Sequence, residues 1–217
     1  MTDEEILKHV DHTLLKPFSV WEDYKKLCDD AVKYKTASVC IPPCFVKRVK
    51  DAYGDTLKIC TVIGFPLGYQ TTETKVFEAK KAISDGADEI DTVINVSDAK
   101  DGNFDAVEKE IKALREVTSG KILKVIVETC YLNDDEKIKL CECVTNAKAD
   151  YIKTSTGFGT GGATFDDVKL FKEHIGPAVK IKAAGGIRSR EDMEEFLRLG
   201  ADRLGTSSAV SILRNQV

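Results

Sequence analysis

The chain has 217 residues, 42% hydrophobic and 31% charged, with a formal net charge of -4. That length and apolar content suffice for one sizeable core, so a single domain over residues 1–217 is expected. The acidic balance argues against nucleic acid or an anionic membrane surface as partner, no apolar run reaches the roughly 20 residues of a membrane span, and an anionic substrate would need a local positive site.

In chain order, a short opening helix leads to a strand over residues 10–15. Ser19-x-x-Glu22 has capping-box spacing, and Val20, Tyr24, Leu27, Ala31 and Tyr34 recur at helical intervals, so a helix is expected from Ser19. Residues 37–41 read as strand two, stopped by Pro42-Pro43 and followed by a helix from about Phe45 to Gly54. Strand three spans residues 57–63, and the loop Gly64-Phe-Pro-Leu-Gly68 leads to a helix ending at Gly86 in a left-handed cap. Residues 88–94 form strand four, 104–118 a helix and 122–128 strand five. Asn133-x-x-Glu136 opens a helix to about Ala147, and residues 151–155 form strand six. A helix over 164–174, strand seven over 179–184, a helix from Ser189 to Gly200, strand eight over 202–205 and a last helix starting among Ser207 and Ser208 complete the chain. Strands alternating with helices imply parallel βαβ units, and eight of them imply a closed (β/α)8 TIM barrel of the α/β class. An open doubly wound sheet is the alternative.

Catalytic groups of such barrels project from the C-terminal ends of strands. The polar residues there are Asp11, Cys40, Asp91, Asn95, Glu128, Lys153, Thr154 and Lys182. A lysine in a buried strand is costly unless it is paired or neutral. Free lysine titrates near ~10.4, so only roughly one in 2,500 is neutral at pH 7, and only the neutral amine attacks a carbonyl. Desolvation and a second ammonium nearby both favour the neutral form. Lys153 and Lys182 together therefore fit a Schiff-base centre, with Asp91 moving protons. The alternative is structural: one lysine in a buried ion pair and the other reaching water. Spacing does not say which lysine forms the imine.

The glycines point to a phosphate cup. Gly185-Gly186 follows strand seven, and Gly205-Thr-Ser-Ser208 follows strand eight into a short helix. Loops at these places, with a helix N-terminus, recur as phosphate sites in this barrel type. Ser207 and Ser208 add hydroxyl donors, and Thr156-Gly-Phe-Gly-Thr-Gly-Gly162 closes the cup. His9-x-x-His12 straddles a helix end without a third ligand, so no metal site is expected. The seven cysteines are odd in number and lack a CxxC pair. With the acidic segment Met1-Thr-Asp-Glu-Glu5, which has no apolar h-region, they indicate a reducing cytoplasm.

The motifs Asp11-His-Thr-Leu-Leu15, Val39-Cys-Ile41, Asp88-Glu-Ile-Asp91, Lys124-Val-Ile-Val-Glu-Thr129, Tyr151-Ile-Lys-Thr-Ser-Thr-Gly157, Lys180-Ile-Lys-Ala-Ala-Gly-Gly-Ile-Arg188 and Gly205-Thr-Ser-Ser208 run from end to end of the chain. In that order they resemble the class I 2-deoxyribose-5-phosphate aldolases. The resemblance implies a lyase cleaving 2-deoxy-D-ribose 5-phosphate to glyceraldehyde 3-phosphate and acetaldehyde, with no metal or organic cofactor. It implies Lys153 as the Schiff-base lysine, Lys182 as its tuner and proton shuttle, and Asp91 as proton relay. Asp11 would support the lysines, Cys40 and Thr154 would adjoin the substrate, and Gly185, Gly186, Gly205, Ser207 and Ser208 would hold the phosphate. Cys40 stands where the family carries a cysteine that excess aldehyde traps. Some members end in a tyrosine that aids proton transfer, whereas this sequence ends Asn215-Gln-Val217. The rival readings are a different lysine aldolase, a sugar-phosphate sensor and a metal-dependent aldolase. Pairing into a homodimer is expected of such a barrel.

Overall fold

Eight short strands, most of them buried on both faces, organise the chain: β1 (Val10–Thr13), β2 (Ser38–Ile41), β3 (Ile59–Ile63), β4 (Glu89–Val93), β5 (Ile122–Ile126), β6 (Tyr151–Lys153), β7 (Lys180–Ala184) and β8 (Arg203–Thr206). The computed structural model describes residues 1–214, and the terminal Asn215-Gln-Val217, with the comparison drawn on it, lies outside the described residues. All neighbouring strands pair in parallel, and β8 returns to β1 with Asp11 opposite Gly205, which closes the barrel in sequence order. The open-sheet alternative is thereby excluded.

Between the strands run α1 (Asp3–Leu7), α2 (Trp21–Tyr34), α3 (Pro43–Tyr53), α4 (Thr72–Ser84), α5 (Val96–Lys100), α6 (Phe104–Val117), α7 (Asp134–Asn146), α8 (Phe165–His174), α9 (Arg190–Arg198) and α10 (Ala209–Arg214). Their starts follow local chemistry. Asn133 and Glu136 form the expected reciprocal cap of α7, and Ser189 and Asp192 form that of α9. The start of α2 differs from expectation. Its first turn is closed by Asp23, whose carboxylate accepts from Val20 N–H at 2.8 Å, so the helix begins two residues after Ser19. The short α5 escaped the sequence because its five residues span barely more than one turn.

Alternation along the strands separates two apolar regions. Val10, Val39, Ile41, Ile59, Ile90, Leu123, Val125, Ile152, Ile181 and Leu204 face the helices and form the main core with them. Inside the barrel a small apolar cluster is formed by Cys40, Cys60 and Val62 with Leu15 and Phe65. Val93, Ile126, Tyr151 and Ala184 lie on the same strand faces as the charges, and polar and charged side chains fill the rest.

A second buried charge lies outside the barrel. Lys75 on α4 is fully buried and donates to Val93 O at 2.8 Å and to Glu110 Oε1 on α6 at 2.6 Å. Thr72 donates its hydroxyl to Glu110 Oε2 at 3.1 Å. Burial lowers the Lys75 pKa and raises that of Glu110, each against the pull of its partner. Removing one partner leaves the other buried and alone. Lys75→Met is therefore expected to destabilise the fold by about 3 kcal/mol, read as a lower urea midpoint at unchanged slope. A midpoint equal to the parent's would show that the pair is dispensable.

Candidate active site

The strand registers assemble the charges. Asp91 on β4 lies beside Lys124 on β5, and Lys153 on β6 beside Lys182 on β7. Asp91 Oδ2 accepts from Lys153 Nζ at 2.8 Å and from Lys182 Nζ at 2.7 Å. Its Oδ1 accepts from Lys124 Nζ at 2.9 Å and from the Cys60 thiol at 3.1 Å. One layer deeper, Lys182 pairs with Asp11 at 2.5 Å, Lys124 with Glu89 at 2.5 Å, and Arg203 with Asp11 at 2.5 Å and with Glu89 at 3.2 Å. Ser38 donates its hydroxyl to Asp11 at 2.6 Å.

These contacts decide the charge states. Burial opposes ionisation of Asp91, but Lys124, Lys153 and Lys182 outweigh it and hold its pKa well below the carboxylate range. The same contest around Asp11 is decided by Lys182, Lys124 and Arg203, again downward. Burial also opposes the charge on Lys124 and Lys182. Asp91, with the Cys60 thiol, Asp11 and Glu89, holds Lys124 well above the usual lysine value, and Asp11 and Asp91 hold Lys182 above it. Beside them, the hydrogen bond with Cys60 lowers the Cys40 pKa, whereas burial raises that of Cys60.

Above this cluster a cavity of about 610 Å3 opens at the C-terminal ends of the strands. Lys153 lines it; Asp91, Lys182, Lys124 and Asp11 do not. The loop after β6 contributes Thr156, Gly157 and Phe158, the loop after β7 contributes Gly185, Gly186 and Arg188, and the loop after β8 contributes Ser207 and Ser208 beside Gly205. Gly185 and Gly186 have φ of 83° and 77°, a left-handed backbone suited to glycine. The charged lining residues are Lys16, Lys153 and Arg188, and no carboxylate joins them. The chain as a whole carries -4, so this positive cavity is local.

The structure thus brings together Lys153, Lys182, Asp91 and Asp11, and gathers Gly185, Gly186, Gly205, Ser207 and Ser208 around the cavity. Cys40 is fully buried and does not line it. Thr154 is buried in the sheet, where its hydroxyl donates to Ala184 O and accepts from Ala184 N–H, both at 3.1 Å. His9 Nδ1 lies 2.9 Å from Asp202 O, and His12 is buried outside the barrel. The carboxylates that could join Cys60 or Cys40 around a metal already bear ammonium or guanidinium partners.

Sequence reasoning missed Lys124, Glu89, Arg203 and Cys60 in the cluster, and Lys16 and Arg188 at the cavity. One signal was present: Glu89 and Asp91 stand two apart in a buried strand, so they share a face.

A barrel with one lysine open to a cationic cavity, a second lysine beside it and a carboxylate bridging them has the framework of a lysine-dependent aldolase. Similarity to known proteins supplies the family. Residues 5–217 match the DeoC/LacD family aldolases, and this chain belongs to that family. The deoxyribose-phosphate aldolase of Clostridium botulinum (strain Alaska E43 / Type E3) is 61% identical over 216 residues, covering 100% of this chain and 98% of the relative. That of Clostridioides difficile (strain 630) is 61% identical over 213 residues, covering 98% of this chain and 97% of the relative. Among solved structures, the tetrameric deoxyribose phosphate aldolase from Aeropyrum pernix superposes with a TM-score of 0.91 at 33% identity, covering 99% of this chain and 92% of that one.

The charge cluster fixes a pH signature. The depressed carboxylates Asp11 and Asp91 contribute stability that is complete above the unfolded carboxyl pKa of ~3.9 and is lost as pH falls through their folded values. The raised lysines contribute stability complete below ~10.4 and lost as pH rises through theirs. The stability difference between the parent and Asp11→Asn should therefore stay flat from about pH 5 to 9 and shrink below about pH 4. Denaturation midpoints across that range are the check. A difference that instead changes steeply near neutrality contradicts the assigned charge states.

Proposed function

We propose that this aldolase works through an imine on Lys153. The activity is that of a deoxyribose-phosphate aldolase, a lyase, as in the full-length relatives at 61% identity. The residue roles rest on one observation: of the four cations in the cluster, Lys153 alone meets the cavity. Charge arithmetic supports the same choice. Asp11, Glu89 and Asp91 supply three negative charges, and Lys124, Lys182 and Arg203 supply three positive ones. Those carboxylates hold Lys124 and Lys182 in the charged form, which leaves Lys153 for the nucleophile.

Neutral Lys153 attacks C1 of the open-chain 2-deoxy-D-ribose 5-phosphate, and water leaves to give an iminium. The iminium withdraws the C2–C3 bonding pair, forming an enamine, while the C3 hydroxyl loses its proton and becomes the aldehyde of glyceraldehyde 3-phosphate. Asp91 carries no proton at rest, so it acts first as acceptor, with Lys182 as the adjoining proton carrier. Protonation of the enamine at C2 and hydrolysis then release acetaldehyde and restore Lys153. The imine is the electron sink, so these steps call for no metal or organic cofactor.

Arg188, Lys16 and the glycine and serine groups after β7 and β8 receive the phosphate. Asp11 acts from below by keeping Lys182 charged. We place the enzyme in the cytoplasm, since all seven cysteines are unpaired. No helix among the described residues is long and apolar enough to cross a membrane. We also propose a homodimer. Phe77 is 69% exposed beside Pro43, Cys44 and Ala82 in a groove between α3 and α4.

Acetaldehyde followed by borohydride should leave an ethyl group on Lys153 alone, located by peptide mass spectrometry. Lys153→Met should abolish both labelling and turnover. Lys182→Met and Asp91→Asn should lower kcat by about 10²–10⁴, and Arg188→Gln should raise KM for the sugar phosphate. Labelling on Lys182 would reverse the two lysine roles, and absence of labelling would remove the imine mechanism. Sedimentation velocity checks the dimer, and a single monomer boundary at micromolar concentration would reject it.

A further inference from the structure

Glu128 stands outside the substrate cavity, yet it holds one wall of it. After β5 the chain stays beside β6: Val127 N–H donates to Lys153 O at 3.0 Å, and Thr129 N–H donates to Thr154 O at 2.9 Å. Between these bonds the Glu128 backbone turns to φ 58°, a region that side-chain-bearing residues rarely occupy. The turn places the carboxylate, almost wholly buried, against the loop after β6. Its Oε1 accepts from Thr156 N–H at 3.1 Å, and its Oε2 accepts the Thr156 hydroxyl proton. The same hydroxyl accepts from Phe158 N–H at 3.0 Å. A Cβ at Gly159 would lie 2.9 Å from Cys130 Sγ and 3.1 Å from Glu128 Cδ, so the loop passes close over this turn.

The loop's far end meets the glycine turn after β7. A Cβ at Gly162 would lie 2.4 Å from Gly185 O, and Ala163 N–H donates to the Ala184 and Gly185 carbonyls, each at 3.1 Å. Thr156, Gly157 and Phe158 line the cavity between these two anchors. Glu128 itself does not line it and forms no hydrogen bond or ion pair with Lys153 Nζ or Asp91.

We infer that Glu128 is a positioning residue for the phosphate end of the substrate. It fixes Thr156, which fixes Phe158, and so sets the spacing between this wall and the Gly185-Gly186 turn. The inference rests on the proposed function for the identity of the anion. A purely structural Glu128 would loosen phosphate binding and imine formation alike, whereas a positioning Glu128 changes the first and spares the second.

The test uses Glu128→Gln, Thr156→Val and Thr156→Ser in the full chain. The Gln amide sets a donor against one of the two Thr156 donors, and Val removes the hydroxyl while leaving Glu128 in place. Calorimetry with inorganic phosphate should show binding about tenfold weaker in both variants, the size expected from losing a hydrogen bond to a charged group. KM for the sugar phosphate should rise to match. The rate of borohydride trapping by acetaldehyde on Lys153 should equal the parent's, and Thr156→Ser should recover most of the phosphate affinity. Parental phosphate affinity in Glu128→Gln, or in Thr156→Val should the first variant not fold, overturns the inference. So does a parallel loss of trapping and phosphate affinity. A parent that binds phosphate but is not trapped by acetaldehyde fails the imine reading and leaves this one standing.

Discussion

Asp91 shares each of its carboxylate oxygens between two donors, Lys153 and Lys182 on one, Lys124 and the Cys60 thiol on the other. None of these groups could be buried alone. Taking a single ion from water into a protein interior costs several kcal/mol after relaxation. The barrel interior, which in this architecture is commonly filled by layers of branched apolar side chains, is here built around paired ions drawn from six strands. Its apolar share is a small cluster of Cys40, Cys60 and Val62, with Val93, Ile126, Tyr151 and Ala184 among the charges. The main hydrophobic core lies outside, between sheet and helices, and supplies the rigidity that keeps charged partners within hydrogen-bond reach.

The fold was largely legible because its signals are local. Eight apolar runs separated by helical periodicity and capping pairs define the barrel before any tertiary contact is known, and the caps at Asn133 and Ser189 stand where the sequence places them. The start of α2 was misread because Ser19-x-x-Glu22 has the stronger capping residue, whereas Asp23 closes the first turn onto Val20 N–H. Most strands were read long by one or two residues at an end, whereas β8 runs one residue further, to Thr206, than the sequence reading places it. The bridging trio of Lys153, Lys182 and Asp91 was legible because each is a charge inside an apolar strand run, Lys153 at the end of β6 and Asp91 and Lys182 in the middle of β4 and β7. Lys124, Glu89 and Arg203 were not, because partners one layer deeper depend on barrel stagger and register. Lys16 and Arg188 sit in loops, where a cation in sequence has no fixed direction.

Cys40 and Thr154 mark a similar boundary. Motif matching puts both beside the substrate, yet one is enclosed within the barrel and the other ties β6 to β7 through Ala184. A strand position two residues along points to the same face, and one residue along points to the opposite face. Thr154 therefore turns away from the interior that Lys153 enters, and its place in the motif reflects the sheet it closes.

The cavity is chemically lopsided: one amine comes from the cluster below, and cations with glycine and serine groups come from the loops. On the proposed function this asymmetry divides custody of the two fragments. The three-carbon fragment keeps its phosphate and can be gripped by charge. The two-carbon fragment has three heavy atoms and no charge, and even the best small ligands gain only roughly 1.5 kcal/mol per heavy atom. Non-covalent contact could retain it only at millimolar strength or worse. A covalent bond to Lys153 is then both the electron sink and the tether. The donor is held by chemistry, the acceptor by electrostatics, and the enzyme needs no recognition surface for acetaldehyde at all.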